Sequence, residues 1–181
     1  MKAIIKYLAA AIMLCTLSTS AVAQSKADLK AVKKEAKNFM KKGWMVTPGY
    51  LSIQEQMALS RSVLIDQDNW IVREGQSKGT VYDVVQSNAE FVAKNNISES
   101  VNQKIEGYEK YGGAGRQKAD PVSVAKYEEI AKGIYANEIK HPKTLMRCYR
   151  ELGDGTIEVL VRLAIRWDEQ EILDEIEKDL K

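Results

Sequence analysis

Residues 143–167 constrain this chain more than any other stretch. Two apolar-rich runs, Thr144 to Arg150 and Thr156 to Trp167, flank Gly153-Asp154-Gly155, the composition of a hairpin turn. In the second run Ile157, Val159, Val161, Leu163, Ile165 and Trp167 recur at every second position, so they share one face of a strand. Glu158, Leu160, Arg162, Ala164 and Arg166 take the other. This division predicts one buried face and one largely wet face, with apolar helices covering the buried side.

The rest of the chain supplies those helices and one more strand. Residues 25–42 read as a lysine-rich helix capped by Ser25, with Leu29, Val32, Ala36, Phe39 and Met40 on one side. Lys30, Lys33, Lys34, Lys37, Lys41 and Lys42 cover much of the remainder. They are expected to be a solvated face, with a surface for anionic lipid or glycan as the sharper alternative. Gly43 stops this helix, and Pro48-Gly49 turns an apolar loop. Ser52 and Glu55 then form a capping box for a helix over 53–65. Trp70 to Gly75 reads as a short strand, with Gly75 and Gly79 bracketing a turn. A long helix is expected over about 80–110. Its stripe includes Val81, Val84, Val85, Ala89, Val92, Ala93, Ile97, Val101 and Ile105, and Asn95-Asn96 and Ser98 weaken its middle, where a kink or a division into two helices is expected. Gly112-Gly113-Ala114-Gly115-Arg116 is read as a flexible loop. Asp120-Pro121 opens the next helix, His141-Pro142 ends it, and Asp168 caps a last one. The sequence therefore predicts an α+β fold: a small three-stranded, mainly antiparallel sheet with helices packed on one face.

The first two dozen residues carry a different signal. Lys2 and Lys6 precede an apolar run from Tyr7 to Leu17, and Ala21-Val22-Ala23 supplies the small-x-small pattern of a signal-peptidase site before Gln24. The run is too short for a lasting bilayer span. Residues 1–23 are thus expected to be a signal peptide and 24–181 a single domain, exported to the periplasm or cell envelope. Without Lys2 and Lys6, 25 basic residues face 25 acidic ones, which argues against general electrostatic attraction to nucleic acid or an anionic membrane. Cys148 is the one cysteine outside the signal, so no internal disulfide is expected.

Candidate chemistry is sparse. His141, the sole histidine, ends a helix, where a structural role accounts for it. One His and one Cys cannot fill a usual zinc site, and no metal or cofactor is expected. Cys148 reads as a buried, inert thiol in mid-strand. The glycine loop is not followed by Gly-Lys-Ser/Thr, so it is no phosphate cradle. Asp168, Glu169 and Glu171 fit the dipole of a helix start. The aromatic residues Trp44, Tyr50, Trp70 and Trp167 form the candidate interaction surface. Core edges account for the tryptophans, and two of them on one open face would make a platform for sugar or peptide.

The segment Trp70–Gly79 leading into a helix with Ala89 and Ala93-Lys94, followed by a late hairpin, resembles the small membrane-associated lipoproteins of the twenty-kilodalton type. With Gly43-Trp44, Pro48-Gly49, Leu51, Glu55 and Gln56 ahead of it, it is more similar still to uncharacterised exported bacteroidete proteins. The likeness spans most of 38–167. It implies helices packed on a small sheet and carries over no catalytic residue. It departs from the lipoproteins at Leu14, which stands where a lipidation signal places a small residue before Cys15.

Two functional readings follow. The first is a non-enzymatic envelope protein, structural or interaction-forming, whose partner is another envelope protein or a second copy of itself, with membrane contact peripheral and not integral. The second is a periplasmic binder or hydrolase of cell-wall glycan or peptide. The export reading predicts an intact mass for the processed protein that begins at Gln24, which would also rule out lipidation at Cys15; a mass that retains residues 1–23 would overturn it.

Overall fold

The hairpin dominates the computed structural model, which describes residues 26–47, 49–66, 68–111 and 121–179. Its strands are β2, Lys143–Glu151, and β3, Ile157–Arg166, joined through Gly155 in the left-handed region at φ +80°. Asp154 closes the turn by accepting from the Thr156 amide at 3.0 Å. The third strand, β1, is Trp70–Gly79, and it pairs with the far side of β3 from Trp70↔Arg166 to Gly79↔Ile157. The order β1-β3-β2 is antiparallel throughout, with β3 in the centre. The architecture is α+β, as expected.

The helices, in chain order, are α1 (Lys26–Lys41), α2 (Ile53–Leu64), α3 (Tyr82–Tyr111), α4 (Pro121–Lys140) and α5 (Glu169–Asp179). Local signals set their ends as the sequence suggested. Ser52 and Glu55 form the capping box of α2. Asp168 accepts from the Glu171 amide at 3.2 Å and caps α5. Residues 1–23, expected to be a signal peptide, and Ser25, Pro48, the 112–116 glycine segment and Asp120 lie outside the described residues.

Two expectations about the segment after Trp70 are corrected. β1 does not turn at Gly75; it runs ten residues to Gly79. Gly75 is needed for another reason. A Cβ there would sit 2.0 Å from the Ala89 carbonyl oxygen and 2.5 Å from the Ala93 nitrogen. Glycine in a strand can mark a place where a second backbone comes close, and here that backbone is α3. The long helix is also unbroken at Asn95-Asn96. Asn96 donates to the Glu74 carbonyl at 2.8 Å, while Ser98 and Ser100 bond back to the carbonyls of Lys94 and Asn96.

The buried line of α3 is Val85, Ala89, Ala93, Ile97, Val101 and Ile105, each four residues after the last. A helix turns once in 3.6 residues, so this line drifts by about 40° per step. It winds from the sheet towards α4, where Tyr108 stacks on Tyr127 with centroids 3.7 Å apart. Val81, Val84 and Val92, which spacing had grouped with the stripe, stay exposed. α5 joins this side through Ile172.

The expected one-sided covering is also corrected. α3, α4 and α5 cover the face of Val159, Val161, Leu163 and Ile165. The opposite face is covered too, over β2 and β3. Val32 and Ala36 of α1, Trp44, and Ile53 and Met57 of α2 pack on Met146, Cys148 and Leu160. Val63 meets Leu145 and Ala164 beside them. A register shift between Thr144 and Met146 turns Leu145 and Met146 inward together. Besides Arg166 at the end of β3, the wet part of this face lies over β1, with Glu74, Gln76 and Lys78 exposed. The charges that suggested a wet face are neutralised within the sheet. Glu158 is buried and held by Arg150 at 2.6 Å, with Lys78 at 3.6 Å, and Arg162 pairs with Glu74 across the strands.

Gly75→Ala should lower stability by at least about 1–3 kcal/mol, because the clash is with backbone on both sides. Gly133→Ala, in the exposed part of α4 with no atom within 4 Å of the added Cβ, should raise it by about 0.5–1 kcal/mol. Urea unfolding of the two variants measures both; equal effects would refute the close-packing account of Gly75.

Candidate functional site

β2 is an edge strand, and the chain covers part of its own open edge. Met45 forms a bridge with Tyr149, donating at 2.7 Å and accepting at 2.9 Å. Further along, the Arg147 amide donates to the side-chain oxygen of Gln56 at 2.6 Å. Gln56 is fixed in turn by donating to the Leu51 carbonyl at 2.5 Å. Beyond Arg147 the edge opens into a cleft of about 200 Å³, lined by Tyr50, Leu51, Leu59, Thr144, Leu145 and Met146 together with Gln56 and Arg147.

Arg147 is the polar centre of this cleft. Its guanidinium donates to the Tyr50 hydroxyl at 2.9 Å and to Glu90 of α3 at 2.5 Å, and it lies 5.4 Å from the Tyr50 ring centre. Its Nε is buried and has no hydrogen-bond partner among the described residues. A buried donor left open costs about 1–3 kcal/mol. The walls are otherwise aliphatic. A cleft of this size is smaller than the roughly 300–1,000 Å³ of a usual small-molecule site and suits one large side chain.

A second recess, of about 410 Å³, lies at the opposite edge of the sheet beside β1. Trp70, Val72 and Arg73 of the strand, Leu64 and Asp68, and Ser100 and Lys104 of α3 border it. Asn96 and Arg73 fill the carbonyls of Glu74 and Val72 with side-chain donors. Both edges of the sheet are therefore partly satisfied by the chain itself, which limits open-ended strand pairing.

The four aromatic residues named from sequence are not brought together. Trp44 is 6% exposed and sits in the α1–α2 cluster, 5.8 Å from Phe39 between ring centres. Trp167 is 4% exposed on the other side of the sheet, stacked on Tyr135 at 4.6 Å. Trp70 is half-buried at the β1 recess, and Tyr50, 52% exposed, borders the β2 cleft. Each of the four carries a cation of its own chain over the ring: Arg150 on Trp44, Arg147 on Tyr50, Lys143 on Trp70 and Lys104 on Trp167, at 4.9–5.6 Å. Rings so occupied are poorly suited as stacking platforms for sugar. Sequence reasoning missed Arg147, Gln56 and Glu90; they meet only through tertiary structure, and no spacing joins them.

Among the described residues no group of three or more His, Cys, Asp or Glu side chains is placed to hold a metal ion. Cys148 is buried, and desolvation pushes its thiol up to about 12, against a smaller opposing effect of Arg162. Tyr135 is also pushed up to about 12 by burial, although its hydrogen bond with the Asp168 backbone opposes the shift. No protein-family model, curated protein or solved structure matches this chain.

The Cys148 environment has a pH consequence. Between about 9, its ordinary value, and about 12, the folded chain keeps a thiol proton that the unfolded chain has lost. Stability must therefore fall as pH rises through this window. The urea midpoint is expected to decline above pH 9, and Cys148→Ala should make that decline shallower. The folded protein should also resist thiol reagents that label it at once in denaturant; rapid labelling of the native protein would refute the burial.

Proposed function

We propose that this protein is a non-enzymatic, exported module of the cell envelope that binds an extended segment of another protein at the β2 edge. The observation that carries this reading is the cleft itself, an aliphatic hollow large enough for one side chain, placed where β2 leaves its own edge partners. A peptide lying there would seat an apolar residue between Leu59 and Leu145 and bring its backbone oxygens near Arg147. Edge-strand recognition of this kind takes affinity from main-chain bonds and specificity from such pockets. The signal-like N-terminus and the resemblance to small exported envelope proteins support the compartment.

The glycan-binding alternative has less support. Two of the three tryptophans are in the core, and the exposed aromatic ring at the cleft is engaged by Arg147. The cleft has few free polar groups with which to orient a sugar.

Site-specific photocrosslinking in intact cells tests the proposal. A benzophenone side chain at Leu51 should yield one discrete partner crosslink, while the same group at Val84, exposed on α3 away from the cleft, should not. Thr144→Arg, which fills the cleft from its exposed rim, should abolish the Leu51 crosslink without unfolding the protein. Identical crosslinks from both positions, or a Leu51 crosslink that survives Thr144→Arg, would refute it.

A further inference from the structure

Helix α1 carries a feature that the β2 cleft does not explain. On a helical projection Lys30, Lys33, Lys34, Lys37 and Lys41 fall within an arc of about 100°, along roughly 16 Å of helix. All five are exposed, and none is ion-paired among the described residues. They point away from Val32 and Ala36, which hold the helix on the sheet. The acids of α1 lie elsewhere: Asp28 is bound to Arg61 at 3.0 Å, and Glu35 is well round the helix from the stripe. Lysines three and four apart repel one another, each pair costing about 0.2–0.5 kcal/mol. A face that needed only to be solvated would interleave acids at these spacings.

Two further observations narrow the partner. Leu29 and Met40, eleven residues and so about three turns apart along the axis, share one border of the stripe at its opposite ends, 42% and 53% exposed. They form an apolar margin beside a basic one. The second observation is the distribution of opposite charge. α5 holds six acids against Lys178, and it packs on the other face of the sheet from α1. The molecule thus has a basic side and an acidic side, and one orientation on a negatively charged plane is favoured over the reverse.

We propose that α1 is a docking surface for an anionic lipid bilayer, lying flat on it with the lysines at the phosphates and Leu29 and Met40 among the headgroups. A soluble polyanion would match the lysines but gain nothing from the apolar margin. The helix does not insert, because its larger apolar side is already packed on β2 and β3. Basic residues near an anionic leaflet contribute about 1 kcal/mol each, enough for five to give reversible, salt-sensitive binding. This proposal is independent of the β2-edge reading and stands or falls separately.

The protein as recovered from cells should co-sediment with vesicles of phosphatidylglycerol and phosphatidylcholine in equal parts, and not with phosphatidylcholine alone. K33Q/K37Q should reduce that partitioning about 30-fold at low salt, whereas K132Q/K140Q on α4 should leave it unchanged. Removing like charges relieves repulsion, so K33Q/K37Q is expected to keep its circular dichroism and urea midpoint. L29S/M40S should weaken the binding that persists at higher salt. Binding unaffected by K33Q/K37Q overturns the proposal. So does equal retention on dextran sulfate with no effect of L29S/M40S, which would assign the stripe to a polyanionic chain. Low-salt self-association without lipid, abolished by K33Q/K37Q, would assign it to α5 of a second copy and overturn it as well.

Discussion

The contact between Gly75 and the Ala89–Ala93 turn of α3 fixes the geometry on which the rest of the fold depends. It lets a 30-residue helix lie with its backbone almost against a strand, closer than any side chain on β1 at that point would permit. From that height the four-residue stripe of α3 reaches both the central strand and α4. Asn96, one turn on from Ala93, reaches the Glu74 carbonyl for the same reason. Glu90 is carried to the side facing β2, where it meets Arg147. The cleft on the β2 edge is thus positioned in part by a glycine on the opposite edge of the sheet.

The second constraint is the burial of charge on a face that helices also cover. Glu158 has almost no exposure, and removing one member of such a buried pair typically costs about 3–5 kcal/mol. Arg150 answers it from the neighbouring strand and also lies over Trp44, so the loop after α1 is drawn onto the sheet by the same guanidinium. Arg162 and Glu74 repeat the arrangement across β1 and β3. Under this pairing α1 and α2 can rest on a sheet face that still contains the Glu158–Arg150 and Glu74–Arg162 pairs. The wet remainder over β1 is what is left when the pairing is complete.

These cross-strand relations mark the limit of what the sequence could reveal. The hairpin, the capping box of Ser52 and Glu55 and the Asp168 cap were legible because each depends on residues within a few positions of one another. Glu158 and Arg162 read as a wet face because their partners come from other strands; Arg166 is exposed and meets its acid, Asp168, locally. Gly75 read as a turn because a strand glycine and a turn glycine look alike until the opposing helix is in place. The candidate site was the least legible part. Tyr50 was named, but for its ring and not for its hydroxyl bond to Arg147. Trp44 and Trp167 are packed into the apolar clusters on the two faces of the sheet.

The same long-range assembly produces the charge asymmetry. A near-neutral composition gives no hint of poles, and the lysines of α1 and the acids of α5 are separated by most of the chain. They become poles only because α1 enters on one face of the sheet and α5 leaves on the other. In α5 the acids at its start, Glu169 and Glu171, are favoured by the helix dipole, and Gln170–Asp174 and Glu175–Lys178 contacts hold its exposed side. In α1 no comparable local compensation is present along the lysine stripe. The acidic pole is accounted for by the folding of its own helix, whereas the basic pole imposes a cost that the fold does not recover, and a negatively charged plane outside the protein would recover it.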